Sequence, residues 1–276
     1  MNLKLTSVFA LILTIFIMGS CSDYHKMIKE NSKATPEEKK VAALDFYEKG
    51  EYVRAVTLLE QIIPFYKLTS EGAGLYFKYC LANYKLGDYY LSGYYFKRFI
   101  RQYPTSKNTE EALFLSSLCS VENSPLFSLD QTETYNALDQ LQIFIDQYPN
   151  SSRIDTCNQI MDGLRAKLEL KQYEYAQLYY QTENYKSAVV ALQQTLVIYP
   201  ESEYKEDIYY LLVKSNFELA INSIPTKKLE RLNNTIKSYR NFVAAFPESS
   251  KLGELGTIKK QTDKAISDVE GNNEGK

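Results

Sequence analysis

Apolar residues run almost unbroken from Leu5 to Met18, and from Thr35 onward they recur at three- and four-residue steps, the period of amphipathic helices. A triplet returns along the chain: a small residue, a larger one four positions later, a third three beyond that. Ser92, Phe96 and Phe99 form one triplet; Ala137, Leu141 and Phe144 another; Ala188, Leu192 and Thr195, then Thr235, Tyr239 and Phe242, complete the set. Each closes on an aromatic residue, proline, any residue and serine: Tyr103-Pro104-Thr105-Ser106, Tyr148-Pro149-Asn150-Ser151, Tyr199-Pro200-Glu201-Ser202 and Phe246-Pro247-Glu248-Ser249. Proline lacks a donor and clashes with the turn before it, so one helix stops there, and the serine is expected to cap the next. The pattern predicts helix pairs. In the first, helix A covers 37–49 and helix B 53–63 across the turn Gly50-Glu51-Tyr52, with Ala55 and Leu59 at the closing positions. Thr35-Pro36-Glu37-Glu38 opens it with a cap, a proline at the first helical position and a carboxylate three residues on.

The second pair is the cleanest, with helix A over 75–86 and the turn Gly87-Asp88-Tyr89. A glycine, an aromatic two later, a small residue three after that, a large apolar residue four further and a closing proline match the tetratricopeptide (TPR) pattern. The expected fold is all-α: a right-handed superhelical solenoid of about five TPR-like helix pairs with a C-terminal capping helix over 251–269. The prolines at 104, 149, 200 and 247 are spaced more widely than the roughly 34 residues of a TPR. The surplus is assigned to an insertion near 122–131, one extended helix over 154–181 and a loop at 222–226. The implied organisation is a signal peptide (1–20), a lipidated N-terminus and flexible tether (21–35), two N-terminal repeats (36–107), repeats three to five (108–250), and a capping helix with a disordered tail (251–276). Stacked repeats make binding surfaces, which favours a scaffold over a catalyst.

The N-terminal run is too short for a comfortable membrane span and ends in small residues, the grammar of a signal peptide. Met18-Gly19-Ser20-Cys21 resembles the bacterial lipobox, which implies a diacylglycerol on the Cys21 sulfur, an N-acyl chain on its amine, and stable membrane attachment through several chains. Serine, not aspartate, follows Cys21, and no acidic cluster comes after it. The resulting expectation is the periplasmic face of the outer membrane.

Composition narrows the chemistry. Lys+Arg number 32 and Asp+Glu 34, a net charge of −2 that does not suit nucleic acid. The single histidine, His25, lies in the tether, and neither a phosphate loop nor an HExxH zinc motif can be written. Glu37-Glu38 and Glu110-Glu111 read as first-turn carboxylates that complement the helix dipole rather than as a catalytic pair. Cys80, Cys119 and Cys157 lie in apolar stretches and are expected as buried free thiols without metal spacing. No enzyme activity, cofactor or metal is expected. The 24 tyrosines, against no tryptophan, either pack between helices or line a groove.

A lipobox, a short tether and five TPR-like repeats with an insertion in the third together resemble the BamD family of outer-membrane-protein assembly lipoproteins. The most specific pieces are Pro125-Leu126-Phe127 onward to Tyr148-Pro149-Asn150-Ser151, Leu164-Arg165-Ala166-Lys167-Leu168, Tyr173-Glu174-Tyr175-Ala176, Tyr179-Tyr180, and Phe99-Ile100-Arg101. Glu183-Asn184 departs from the glycine common at the fourth turn, and the fifth repeat is looser. The resemblance implies a non-enzymatic subunit whose C-terminal repeats dock on the periplasmic POTRA region of BamA. Its N-terminal repeats would receive unfolded outer-membrane β-barrel proteins, with other Bam lipoproteins as further partners. TPR register places Leu44, Tyr47, Glu48, Phe77, Leu81, Tyr84, Lys85, Tyr173, Gln177 and Tyr180 as groove candidates, each with packing against a neighbouring helix as its alternative. A generic TPR lipoprotein scaffold of another envelope complex shares the repeat features. A glycan-capture lipoprotein would need a ligand-binding half that this chain lacks.

Overall fold

The computed structural model describes residues 24–29 and 31–274, so Cys21 and the signal segment lie outside the described residues. Regular structure among those residues is entirely helical. A short helical segment at 24–28 precedes α1 (Pro36–Glu48), α2 (Tyr52–Tyr66), α3 (Gly72–Lys85), α4 (Tyr89–Gln102), α5 (Thr109–Glu122), α6 (Thr132–Gln147), α7 (Ile154–Gln181), α8 (Tyr185–Ile198), α9 (Lys205–Ile221), α10 (Pro225–Ala245) and α11 (Leu252–Glu274). They pair as five hairpins followed by one terminal helix; α1 to α6 pack each on the next in the first unit, and so do α7 to α11 in the second. This is the helical repeat array that the proline punctuation predicts. The chain divides into two compact units, Met1–Met161 and Asp162–Lys276, with the boundary inside α7. No division falls at 107, because α3, α4 and α5 share one core in which Phe96 and Phe99 meet Ala112, Leu115 and Cys119.

The repeated triplets form the seams of the hairpins. Ala55 and Leu59, Ser92 with Phe96 and Phe99, Ala137 with Leu141 and Phe144, and Ala188 with Leu192 and Thr195 are all fully buried. A small side chain lets the paired helix approach, and the larger ones fill the space on either side. Where the small position is polar, its hydroxyl is satisfied within the helix: Ser92 donates to Asp88 O at 2.6 Å and Thr235 to Arg231 O at 3.1 Å. In the fifth hairpin Tyr239 is only half-buried, and Leu232 joins Thr235 and Phe242 in the seam.

The aromatic-Pro-x-Ser stop works differently from a helix cap. Ser106 lies two residues before Asn108, the N-cap of α5, and Ser202 two before Tyr204, the N-cap of α9. In all four copies the serine N–H donates to the aromatic residue's carbonyl at 3.0–3.2 Å, and its carbonyl accepts from the N–H three residues on. Its hydroxyl accepts from the N–H two residues on, at 3.3, 3.3, 3.0 and 3.1 Å. The motif is therefore a prefabricated double turn between repeats, using the serine hydroxyl to hold its own backbone. Its serine also reaches across repeats. Ser151 donates to Glu110 at 2.6 Å and Ser249 to Glu206 at 2.5 Å, while Arg153 pairs with Glu111 and Lys251 with Asp207. The first-turn carboxylates thus brace one repeat against the next, in addition to meeting the positive end of their helix.

The three sources of extra length resolve as follows. The insertion is a loop between α5 and α6 tied together by buried Gln131, whose amide donates to Leu126 O at 2.8 Å and Leu129 O at 2.9 Å while accepting from the Thr134 hydroxyl at 2.7 Å. The extended helix is α7, 28 residues long. The expected 222–226 loop is only a three-residue connection, since Pro225 takes the first position of α10, where its missing donor is harmless. The fifth repeat is instead long in its helices, at 17 and 21 residues against 14 in α3 and α4. Two other boundaries move. Helix α2 passes Pro64 to end at Tyr66, because a proline in the last turn removes a single bond there and Tyr66 is held by its hydroxyl on Glu37 at 2.7 Å. Helix α11 continues through 270 to Glu274, where a disordered tail was expected.

The tether is not free along its length. Tyr24, Met27 and Ile28 pack against the core of the first hairpin, the Tyr24 ring standing edge-on to Phe46 at 5.5 Å with the Arg54 guanidinium 5.3 Å from its centre. Three apolar side chains at positions i, i+3 and i+4 make one helical face, enough to seat a single turn on Phe46.

Candidate partner-binding site

The three hairpin turns of the TPR type share one geometry. Gly50, Gly87 and Glu183 hold the left-handed conformation at φ 75°, 79° and 58°. Beyond two of them the chain closes a Schellman turn, with Glu51 N–H on Phe46 O and Asn184 N–H on Tyr179 O, both at 2.8 Å. Three residues before each lies a tyrosine, Tyr47, Tyr84 or Tyr180, and two after each a second, Tyr52, Tyr89 or Tyr185. The rings of each pair meet at 5.6, 5.4 and 5.7 Å. Three of the groove candidates are thus equivalent residues, half-buried, each with one edge on the start of its B helix.

The remaining candidates separate by position on the A helix. Leu44, Leu81 and Gln177 are half-buried, while Glu48 and Lys85 are exposed. Phe77 and Tyr173 are core. Phe77 packs between Phe96 and Phe99, and Tyr173 stacks on Tyr204 at 4.5 Å with the rings 5° from parallel. Burial pushes the Tyr173 hydroxyl up to about 12. Both residues share a helix stripe with the turn tyrosines one heptad later, but there the following repeat's A helix covers the stripe. Two lysines that sequence reasoning missed stand beside turn tyrosines, one in each unit. Lys78 lies 4.3 Å from the centre of the Tyr47 ring and pairs with Glu48 at 2.9 Å. Lys214 lies 5.8 Å from the Tyr180 ring and binds the Tyr210 hydroxyl at 3.1 Å and Glu254 at 2.9 Å. Burial opposes the Lys214 charge, yet the bonds to Tyr210 and Glu254 hold its pKa above the usual lysine range. Within each unit the turn tyrosine thus offers an aromatic edge with a fixed cation beside it, a chemistry that suits aromatic side chains and main-chain carbonyls.

Burial also keeps the thiols out of the chemistry. Cys80, Cys119 and Cys157 are free and buried, and each is pushed above the ordinary thiol range chiefly by desolvation, so they stay protonated and unreactive.

Helical hairpins built on one repeated small-large-large seam define a TPR-like helical-repeat protein. Residues 34–189 and 166–252 match the family YfiO, outer membrane lipoprotein, and the chain belongs to that family. It is 22% identical over 234 residues to the outer membrane protein assembly factor BamD of Pasteurella multocida (strain Pm70), covering 81% of this chain and 88% of that one. A protein from Aquifex aeolicus (strain VF5) assigned to the same factor is 24% identical over 208 residues, 75% of this chain and 67% of the relative. Among solved structures, the TPR2AB domain of yeast Sti1 in its pHSP90 complex aligns with a TM-score of 0.41 at 11% identity, covering 87% of this chain and 95% of that one.

Proposed function

We propose that this protein is a lipid-anchored, non-catalytic subunit of outer-membrane β-barrel assembly. Cys21 carries the lipid and holds the chain on the periplasmic face of the outer membrane. The C-terminal repeats dock on the POTRA region of BamA, and the A-helix face around Tyr47, Leu81, Tyr84 and Lys85 receives extended segments of unfolded barrel proteins. The observation that carries this reading is the extent of the family match, which takes in all five hairpins rather than one generic repeat. A tyrosine and cation face on rigid helices is consistent with it, since rigid aromatic rings bind extended peptides at little entropic cost.

Co-purification from solubilised membranes is the direct test. BamA is expected in the eluate of the tagged protein, and its absence would leave a scaffold of some other envelope complex. Depletion should lower the level of assembled outer-membrane barrels. Cys21→Ser should move the protein from the membrane fraction to the soluble one, and a variant that stays membrane-bound would refute the anchor. Lys85→Glu, at an exposed position, should weaken binding of a barrel-derived terminal peptide about tenfold without shifting the melting temperature.

A further inference from the structure

A cleft of about 410 Å³ opens between α8, α9 and α10, within the second unit. Val189, Leu196 and Leu212 supply apolar wall. Four carboxamides, Gln193, Asn216, Asn234 and Asn241, face the same space together with Lys237. At its floor Asn216 is only 6% exposed, and its amide nitrogen donates to Leu212 O at 2.9 Å and to the Ser238 hydroxyl at 3.0 Å. The Leu212 carbonyl can only accept, which fixes the amide orientation and leaves Oδ1 as an acceptor with no partner among the described residues. Oδ1 is not itself buried but opens to the cleft that Asn216 lines, where it can accept from water or from a ligand donor.

The groups around it are equally unspent. Gln193, Asn234, Lys237 and Asn241 make no hydrogen bond or ion pair with other described residues. A carboxamide presents one donor and one acceptor side by side, the complement of a peptide group's own C=O and N–H. Asn234 and Asn241 lie two turns apart on one face of α10, about 10 Å at 1.5 Å per residue. An extended chain covers that distance in about three residues. We propose that this cleft binds the main chain of an extended polypeptide segment about three residues long, its peptide groups paired with the carboxamides and a carboxylate of the segment, side-chain or terminal, paired with Lys237. This site does not depend on the A-helix face proposed above, and either can fail alone.

The test is a titration of the purified full chain, ¹⁵N-labelled, read at the side-chain amide signals. The probes are acetyl-tetraalanine amide, the same peptide with free C-terminal carboxylate, its fully N-methylated form, and tetra-N-acetylglucosamine. Acetyl-tetraalanine amide is expected to shift the Asn234 and Asn241 signals with a dissociation constant on the order of 1 mM. The free carboxylate should bind about threefold more tightly, an advantage lost in Lys237→Met. N-methylation removes the peptide donors and should weaken binding about tenfold, as should Asn234→Leu with Asn241→Leu. Both asparagines are exposed, so circular dichroism of that variant should be unchanged. Equal binding of the N-methylated peptide, undiminished binding by the double variant, absence of shifts at 20-fold the expected constant, or shifts with the glycan alone would each overturn the proposal.

Discussion

Glu183 does the work of a glycine at the fourth hairpin turn. A side chain in the left-handed region costs about 1–2 kcal/mol, because Cβ crowds the following carbonyl, while glycine returns about 0.5–1 kcal/mol of that as unfolded-chain entropy. Glu183→Gly is therefore expected to stabilise the second unit by about 0.5–1 kcal/mol, seen as a higher urea midpoint at unchanged slope; a lower midpoint would mean that the Glu183 side chain is itself stabilising. The departure from glycine was visible in the sequence, but the persistence of the turn was not, since a glutamate could equally have marked a different loop. Glycine positions were also unequal in a way that sequence does not rank. A Cβ on Gly72 would stand 2.3 Å from Tyr66 O, whereas one on Gly74, two residues later, meets nothing within 4 Å. Gly72→Ala should cost about 1–3 kcal/mol and Gly74→Ala should not destabilise, a contrast that thermal melts of the two variants would decide.

At the scale of elements, the small-large-large triplets were legible because one side-chain size pattern repeats at a fixed helical step. The serine of the stop motif was misjudged for the opposite reason: capping and double-turn formation ask for the same hydroxyl, and only the two-residue offset to Asn108 and Tyr204 tells them apart. Likewise, Tyr24, Met27 and Ile28 span a single turn, too short for a period to emerge from polar neighbours. Losing the Tyr24 contacts with Phe46 and Arg54 is expected to cost that turn about 2 kcal/mol, which raises its open population roughly thirtyfold. Tyr24→Ala should accordingly speed tryptic cutting at Lys26, Lys29 and Lys33 by about that factor while later lysines are cut as before; equal rates would show the turn to be open already. The α9–α11 contact adds a pH signature. Hydrogen bonds from Tyr210 and then Lys214 hold the Glu254 carboxyl below its usual range. A carboxylate lowered in the folded state contributes stability above its unfolded pKa and loses it as pH falls through the folded value. Glu254→Gln should melt below the parent at pH 7, with a gap that narrows as pH falls below the usual carboxylate range; a gap that stays constant with falling pH would assign the loss to packing.

At the scale of the whole molecule, the fold and family were readable because punctuation and register survive sequence drift, whereas the site was only half readable. Phe77 and Tyr173 carry the same TPR register as Tyr84 and Tyr180, and whether a ring at that register faces a groove or a core depends on what the next repeat lays over it. The docked N-terminal turn changes how the proposed anchor acts. Only Ser22 and Asp23 separate Cys21 from Tyr24, so the Cα of a lipidated Cys21 would be within about 10 Å of the Tyr24 Cα by the reach of an extended chain. The first repeat would then be presented at the membrane surface rather than on a loose tether. Inserting twenty Gly/Ser residues between Asp23 and Tyr24 replaces that reach with a coil of roughly 25 Å root-mean-square span. The variant should remain in the outer-membrane fraction with an unchanged melting temperature, because lipid and fold are both intact. Assembled barrel proteins should nevertheless fall several-fold in cells that rely on it, if closeness of repeat one to the membrane is what hands on the client. Normal barrel levels with the inserted linker would show that the anchor serves only to retain the protein, and the short reach from Cys21 to Tyr24 would then have no part in assembly.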